Sequence, residues 1–130
     1  MNELGPTATA VAIAIAGAIG AVSRFGLEAA ITRALGGVRP WGTAAVNVIG
    51  ALLLGVLAGL GASGNISGQL ELTVGGEMLG AFTTFSTWMV QLVELFEQRA
   101  FRAAVAHLGG SLLAGIAAAA LGFMVATAVT

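Results

Sequence analysis

The chain has 130 residues, of which 58% are hydrophobic and 8% charged, with a formal net charge of −1. Soluble domains carry about 25% charged residues, so there is too little polar surface here for a soluble globule, and the chain reads as an all-α integral membrane protein with a single domain. The absence of cysteine excludes a disulfide framework and thiol chemistry, the charge balance gives no nucleic-acid partner, and Glu3 with no basic run beside it argues against a cleaved signal peptide.

Charge-free runs mark the spans. Leu4–Ser23, Pro40–Leu70 and Ala103–Thr130 each supply the roughly 20 apolar residues a spanning helix needs. Met78–Val93 is shorter and more polar, and must borrow flanks from Leu72 to Phe96. Four transmembrane helices are expected, at about 7–33, 42–62, 70–98 and 101–128. Gly36-Gly37 and Pro40 break the chain after the first, Gly61–Gly68 after the second, and a tight turn near Gln98–Phe101 follows the third. Small residues recur four apart, at Gly17/Ala21, Gly55/Gly59, Ala106/Gly110 and Ser111/Gly115, which lets helices approach closely. Arg33 and Arg39 fall in the first loop and Arg99 and Arg102 at the third. The N-terminus, second loop and C-terminus carry no Lys or Arg, so the positive-inside rule places the first and third loops in the cytoplasm.

The third span carries the unusual chemistry. Gly80-Ala-Phe-Thr-Thr-Phe-Ser-Thr-Trp88 holds four hydroxyls within five residues. Each needs a partner that lipid cannot give, so they face another helix, their own backbone or a passage for water or an ion. Gly80 followed by Thr83-Thr84 points to an interrupted helix, whose freed carbonyls then need a partner such as a cation. Phe85 and Trp88, three apart, would share a helical face; they pack in the core, or they turn their positive ring edges toward an anion. Asn47 and Thr43 lie one turn apart in the second span, where an amide glues helices or lines a polar track with its two donors. His107 and Ser111 share a face of the fourth. Arg24 and Glu28 either pair with each other or leave Arg24 lining a vestibule that attracts anions. With one His and no Cys, a His-based transition-metal site is not expected.

These segments resemble the Fluc (CrcB) family of fluoride channels. The resemblance spans nearly the whole chain and rests on Gly20-Ala-Val-Ser-Arg24-Phe25, Gly42-Thr43-Ala-Ala-Val-Asn47-Val-Ile-Gly50, His107-Leu-Gly-Gly-Ser111 and, most specifically, Gly80 to Trp88. It implies four-helix subunits with a broken third helix, assembled as an antiparallel dimer with two fluoride pores. It implies passive loss of cytoplasmic fluoride across the inner (plasma) membrane, which protects against fluoride toxicity. Phe85 matches the family's first pore phenylalanine, and Trp88 stands where a second is common. Asn47 and Ser111 match the pore asparagine and serine. His107 stands where some members have tyrosine, and Thr43 and Thr84 are further lining candidates. A structural Na+ at the dimer centre would be held by backbone carbonyls mapping to Gly80 and Thr83. The four-to-none arginine bias strains a homodimer of opposed copies, so pairing with itself or with an oppositely oriented paralogue both stay open.

Two other readings compete. A small multidrug exporter would need an acid within the first span, and Leu4–Ser23 has none. A membrane scaffold would explain the small-residue faces but not the hydroxyl cluster with Asn47 and Ser111. Nothing in the chain resembles a nucleophile–base pair or a phosphate loop, so an enzyme is not expected.

Overall fold

The computed structural model describes residues 5–37 and 40–130; Glu3 and Arg39, which bear on the N-terminus and the first loop, lie outside them. All regular structure among the described residues is helical. Helix α1 (Pro6–Ala34) opens on Pro6, where the missing amide costs nothing because first-turn N–H groups have no intrahelical partner. Helix α2 runs Trp41–Ala62 and α6 runs Phe101–Val129. Each of α1, α2 and α6 is long and apolar enough to cross a membrane.

The third segment is built in pieces. Helix α3 (Gly68–Glu71), whose Leu70 amide donates to the capping Ser67 hydroxyl, passes into a π-helical stretch, Leu72–Leu79. Helix α4 (Gly80–Phe82) follows, then a break at Thr83–Phe85, then α5 (Ser86–Glu97). The interruption expected from Gly80 followed by Thr83-Thr84 is therefore present. The wider π turn was not foreseen: Gly75-Gly76 leaves no side-chain periodicity there from which 3.6 and 4.4 residues per turn could be told apart.

Three of the helix ends share one device. Gly37 N–H reaches Thr32 O, Asn65 N–H reaches Leu60 O and Ala100 N–H reaches Leu95 O. The residue before each donor, Gly36, Gly64 and Arg99, has φ of 78°, 72° and 57°. This is the left-handed closure that satisfies terminal carbonyls. Glycine adopts it freely, whereas Arg99 does so against its Cβ.

Helix α2 is the axis of the bundle, packed along much of its length on α6. The close approach has a cause: a Cβ on Gly55 would strike Ala119 O, and one on Gly122 would strike Leu52 O. Backbones this near gain dispersion contacts where lipid offers no hydrophobic drive. The π-helical stretch and α4 pack on α1, whereas α5 packs on α6. The break therefore carries the third segment across the face of α2. Large apolar side chains such as Val22, Phe25 and Leu113 point outward, the surface a bilayer requires. The protein is a multi-pass membrane protein.

Candidate functional site

The break is held open by side chains from two other helices. Thr83 is extended (φ −83°, ψ 160°) and ends α4, and Phe85 precedes the first turn of α5. An interrupted helix leaves amides and carbonyls that must find partners in a medium without water. Asn47 of α2 supplies both kinds to one residue: its Oδ1 accepts from Thr84 N–H at 2.8 Å, and its Nδ2 donates to Thr84 O at 2.9 Å. Arg24 of α1 donates from Nε to Ala81 O at 3.3 Å, placing a cation at the carbonyl end of α4, where the helix dipole is negative. Gly50 leaves room for this arrangement, since a Cβ there would collide with the Thr83 methyl group.

The hydroxyls divide between backbone and one another. Thr83 donates to Leu79 O at 3.2 Å. Thr84 Oγ1 accepts from Thr87 N–H at 3.3 Å and donates to Thr87 Oγ1 at 3.2 Å, so it caps the start of α5. Two amides that a continuous helix would aim at the carbonyls of Gly80 and Thr83, those of Thr84 and Thr87, are thus turned to side-chain oxygens. Beside the break lies a cavity of about 400 Å³, lined by Asn47, Thr84, Phe85, Trp88 and Ser111 among mostly apolar neighbours.

Aromatic groups descend from the break. Phe85 and Trp88 have ring centroids 5.8 Å apart, and Trp88 meets His107 of α6 edge-on at 6.3 Å. Phe85 is the N-cap of α5, helical in conformation and accepting from Met89 N–H, so the two rings share one side of the helix as their spacing predicts, with Phe85 71% exposed in the single chain. The Trp88 Nε1 and His107 Nε2 atoms are buried and find no hydrogen-bond partner among the described residues. Buried polar atoms are rarely left so, and the usual resolution is water or an ion. Ser111 donates to His107 O one turn back on α6, so its hydroxyl must rotate before it can donate to anything in the cavity.

The structure thus brings together Asn47, Thr84, Phe85, Trp88 and Ser111, with His107 behind Trp88. Thr43 and Arg24 are elsewhere. Thr43 is 1% exposed and donates to Glu28 Oε1 at 2.7 Å. Arg24 and Glu28, weighed as partners of each other, turn instead to Ala81 O and to Thr43. One polar residue escaped the sequence reading: Gln91, 5% exposed, donates from Nε2 to Thr43 Oγ1 at 2.7 Å. Its signal was available, a lone amide in the apolar run Met89-Val-Gln-Leu-Val93, one turn beyond Trp88.

Apolar helices that leave a mid-segment break, with polar backbone and neutral donors gathered at a cavity, define a membrane protein built to handle a small polar solute or ion. Comparison with known proteins narrows the class. The profile of the CrcB-like protein, Camphor Resistance (CrcB) family matches residues 11–123. A fluoride-specific ion channel FluC 1 of Symbiobacterium thermophilum is 45% identical over 114 residues, covering 86% of this chain and 92% of its own. A fluoride-specific ion channel FluC 2 of Mycolicibacterium paratuberculosis is 42% identical over 112 residues, 86% and 88% of the two chains. A fluoride-specific ion channel FluC of Novosphingobium aromaticivorans is 41% identical over 121 residues, 92% and 95%. The chain belongs to the CrcB family.

Proposed function

We propose that this protein is a fluoride channel of the plasma membrane, through which cytoplasmic fluoride leaves passively, relieving its toxicity. Beyond family membership, the observation that carries the reading is the pairing of Asn47 with the backbone of Thr84. An amide nitrogen has two protons. One is spent on Thr84 O, and the second remains at a cavity whose lining has no charged side chain among the described residues.

Fluoride is small and strongly hydrated, so a passage must replace its water with good donors while offering no full charge that would trap it. Asn47 gives an N–H, Ser111 a hydroxyl once rotated, and Phe85 a positive ring edge. Trp88 adds an edge and an indole N–H that has no partner among the described residues, and His107 continues the same line. Thr84 holds the positive end of α5 beside the cavity, which favours an anion. Among the described residues Arg24 bonds from Nε to Ala81 O, leaving a vestibule role for its other donors. Thr43 acts behind the lining.

The broken segment is read as the fourth span, and the working unit as an antiparallel dimer, with a second copy or an oppositely oriented paralogue. Support comes from the cavity, which is open on one side, and from Phe85, which a second chain would cover. At the break, the carbonyls of Gly80 and Thr83 have lost the amides of Thr84 and Thr87. A Cβ on Gly80 would meet nothing within 4 Å, so the approach is clear. Freed carbonyl oxygens are hard ligands and suit a hard cation. These residues fit a structural Na+ shared by two chains, which would neutralise the carbonyl ends meeting at the interface.

The test is fluoride efflux from liposomes holding this chain alone, read with a fluoride electrode against chloride as control. Rapid fluoride loss without chloride loss is expected. Silence from this chain, and from this chain with an oppositely oriented paralogue, would remove the channel reading.

A further inference from the structure

The fluoride path leaves three interior polar groups unused, and they form a chain. Thr43 donates to Glu28 Oε1 at 2.7 Å and accepts from Gln91 Nε2 at 2.7 Å. They come from three helices, α1, α2 and α5. Gly42 makes the meeting possible, because a Cβ there would collide with Thr32 Oγ1 and Glu28 O, so α2 begins pressed against α1 at the level of Glu28. The far side of Gln91 is unfinished: its Oε1 is buried with no hydrogen-bond partner among the described residues.

Gln91 also occupies a junction. Trp88, one turn before it on α5, lines the 400 Å³ cavity at the break. Gln91 itself lines a second cavity of about 280 Å³, with Pro40, Glu94 and Gln98. Trp88 lines the first space and Gln91 the second, one turn apart on α5.

We propose that Glu28 is a positioning residue which, through Thr43, fixes the amide of Gln91 where a passage joins the two cavities, with the carbonyl oxygen rather than the NH2 group toward that passage. Counting protons sets the orientation. A carboxylate only accepts, and a threonine hydroxyl has one proton. With that proton given to Glu28, Thr43 can only accept from Gln91, so Nε2 is held against Thr43 and Oε1 is left to the passage. An acceptor oxygen does not hold an anion, which suits a site that fluoride must leave quickly. Without Glu28, Thr43 is free to donate to Oε1. The amide then turns over and presents two N–H donors to the ion.

The inference rests on the fluoride-channel reading for its flux consequence, and its structural half is separately measurable. In Glu28→Ala the half-saturating fluoride concentration for efflux should fall about three- to tenfold, the range of one net hydrogen bond, with a slower maximal rate. Structural damage would lower the maximal rate without tightening the half-saturation. Glu28→Gln keeps an acceptor oxygen within reach of Thr43 and should behave as the parent. The double variant Glu28→Ala/Thr43→Val should match Thr43→Val alone, since Glu28 acts only through Thr43.

Independently of flux, 15N NMR of the glutamine side chains should show one amide, assigned by its loss in Gln91→Ala, shifted in Glu28→Ala and unshifted in Glu28→Gln. An unmoved Gln91 amide, an unchanged half-saturation or additive effects in the double variant would overturn the relay. A shifted amide in a parent that conducts no fluoride would uphold the relay and remove the channel reading instead.

Discussion

Asn47→Asp tests the donor at the break with the smallest change of shape. The carboxylate keeps one acceptor for Thr84 N–H, but its second oxygen replaces the Nδ2 that donated to Thr84 O at 2.9 Å. Losing that bond and setting two acceptors face to face costs about 1–3 kcal/mol. Coulombic repulsion of the ion costs more. An anion in the cavity about 4 Å from a unit negative charge is repelled by about 4 kcal/mol at an effective dielectric constant near 20, equivalent to roughly a thousandfold in occupancy. Fluoride efflux from liposomes should fall by two to three orders of magnitude, as these energies imply. Asn47→Ser serves as the neutral comparison: it disturbs Thr84 without a charge and should keep more flux than the aspartate. Undiminished flux in Asn47→Asp, with the variant folded by size-exclusion chromatography, would remove Asn47 from the ion's path.

Thr84→Val deletes the oxygen that accepts Thr87 N–H and should lower stability by about 1 kcal/mol, the usual worth of a helix cap, whereas Thr84→Ser should recover it; denaturant unfolding in detergent reads both. Gly122→Ala places a methyl group against Leu52 O and should cost about 1–3 kcal/mol by overpacking. Gly109→Ala, whose Cβ meets nothing within 4 Å, should be close to neutral in the same assay, and equal effects would refute the account of α2–α6 packing. Replacing sodium with N-methylglucamine should lower the thermal midpoint, since a ligand bound only to the folded state at a hundred times its dissociation constant adds about 2.7 kcal/mol; a midpoint indifferent to sodium would count against the carbonyl site.

What the sequence made legible depended on whether a residue's partner was written nearby. Four hydroxyls crowded into an apolar span require partners that lipid cannot give, and Gly80 followed by Thr83-Thr84 pointed to the break found at Thr83–Phe85. Gly36 and Gly64 announced helix ends by the conformations only glycine takes cheaply. Arg99 did not, because an arginine carries no such signal. Glu28 was read against Arg24, its neighbour four residues away, since helical spacing is the only geometry a sequence offers. Its partner Thr43 is supplied by the α1–α2 crossing, which no periodicity encodes. Gln91 carried a signal, a lone amide in an apolar run, but its meaning lies in Thr43, 48 residues away. The assembly is the extreme case, because a single chain's pattern does not distinguish a face that meets lipid from one that meets a second subunit.

A broken helix in a membrane is expensive only while its backbone groups lack partners, and here the partners are also the candidate pore groups. Asn47 satisfies both polar groups of Thr84, and Arg24 takes a carbonyl at the other lip. One amide proton of Asn47 is bonded to Thr84 O at the break, and the other remains at the cavity. The donor proposed to meet fluoride is therefore held rigid by the bonds that hold the backbone open, and it would not have to be ordered when the ion arrives. This preorganisation is what allows neutral donors to compete with water for a strongly hydrated ion. It also means that selectivity and stability at Asn47 cannot be changed separately: a substitution that loosens the break should loosen the discrimination between fluoride and chloride with it.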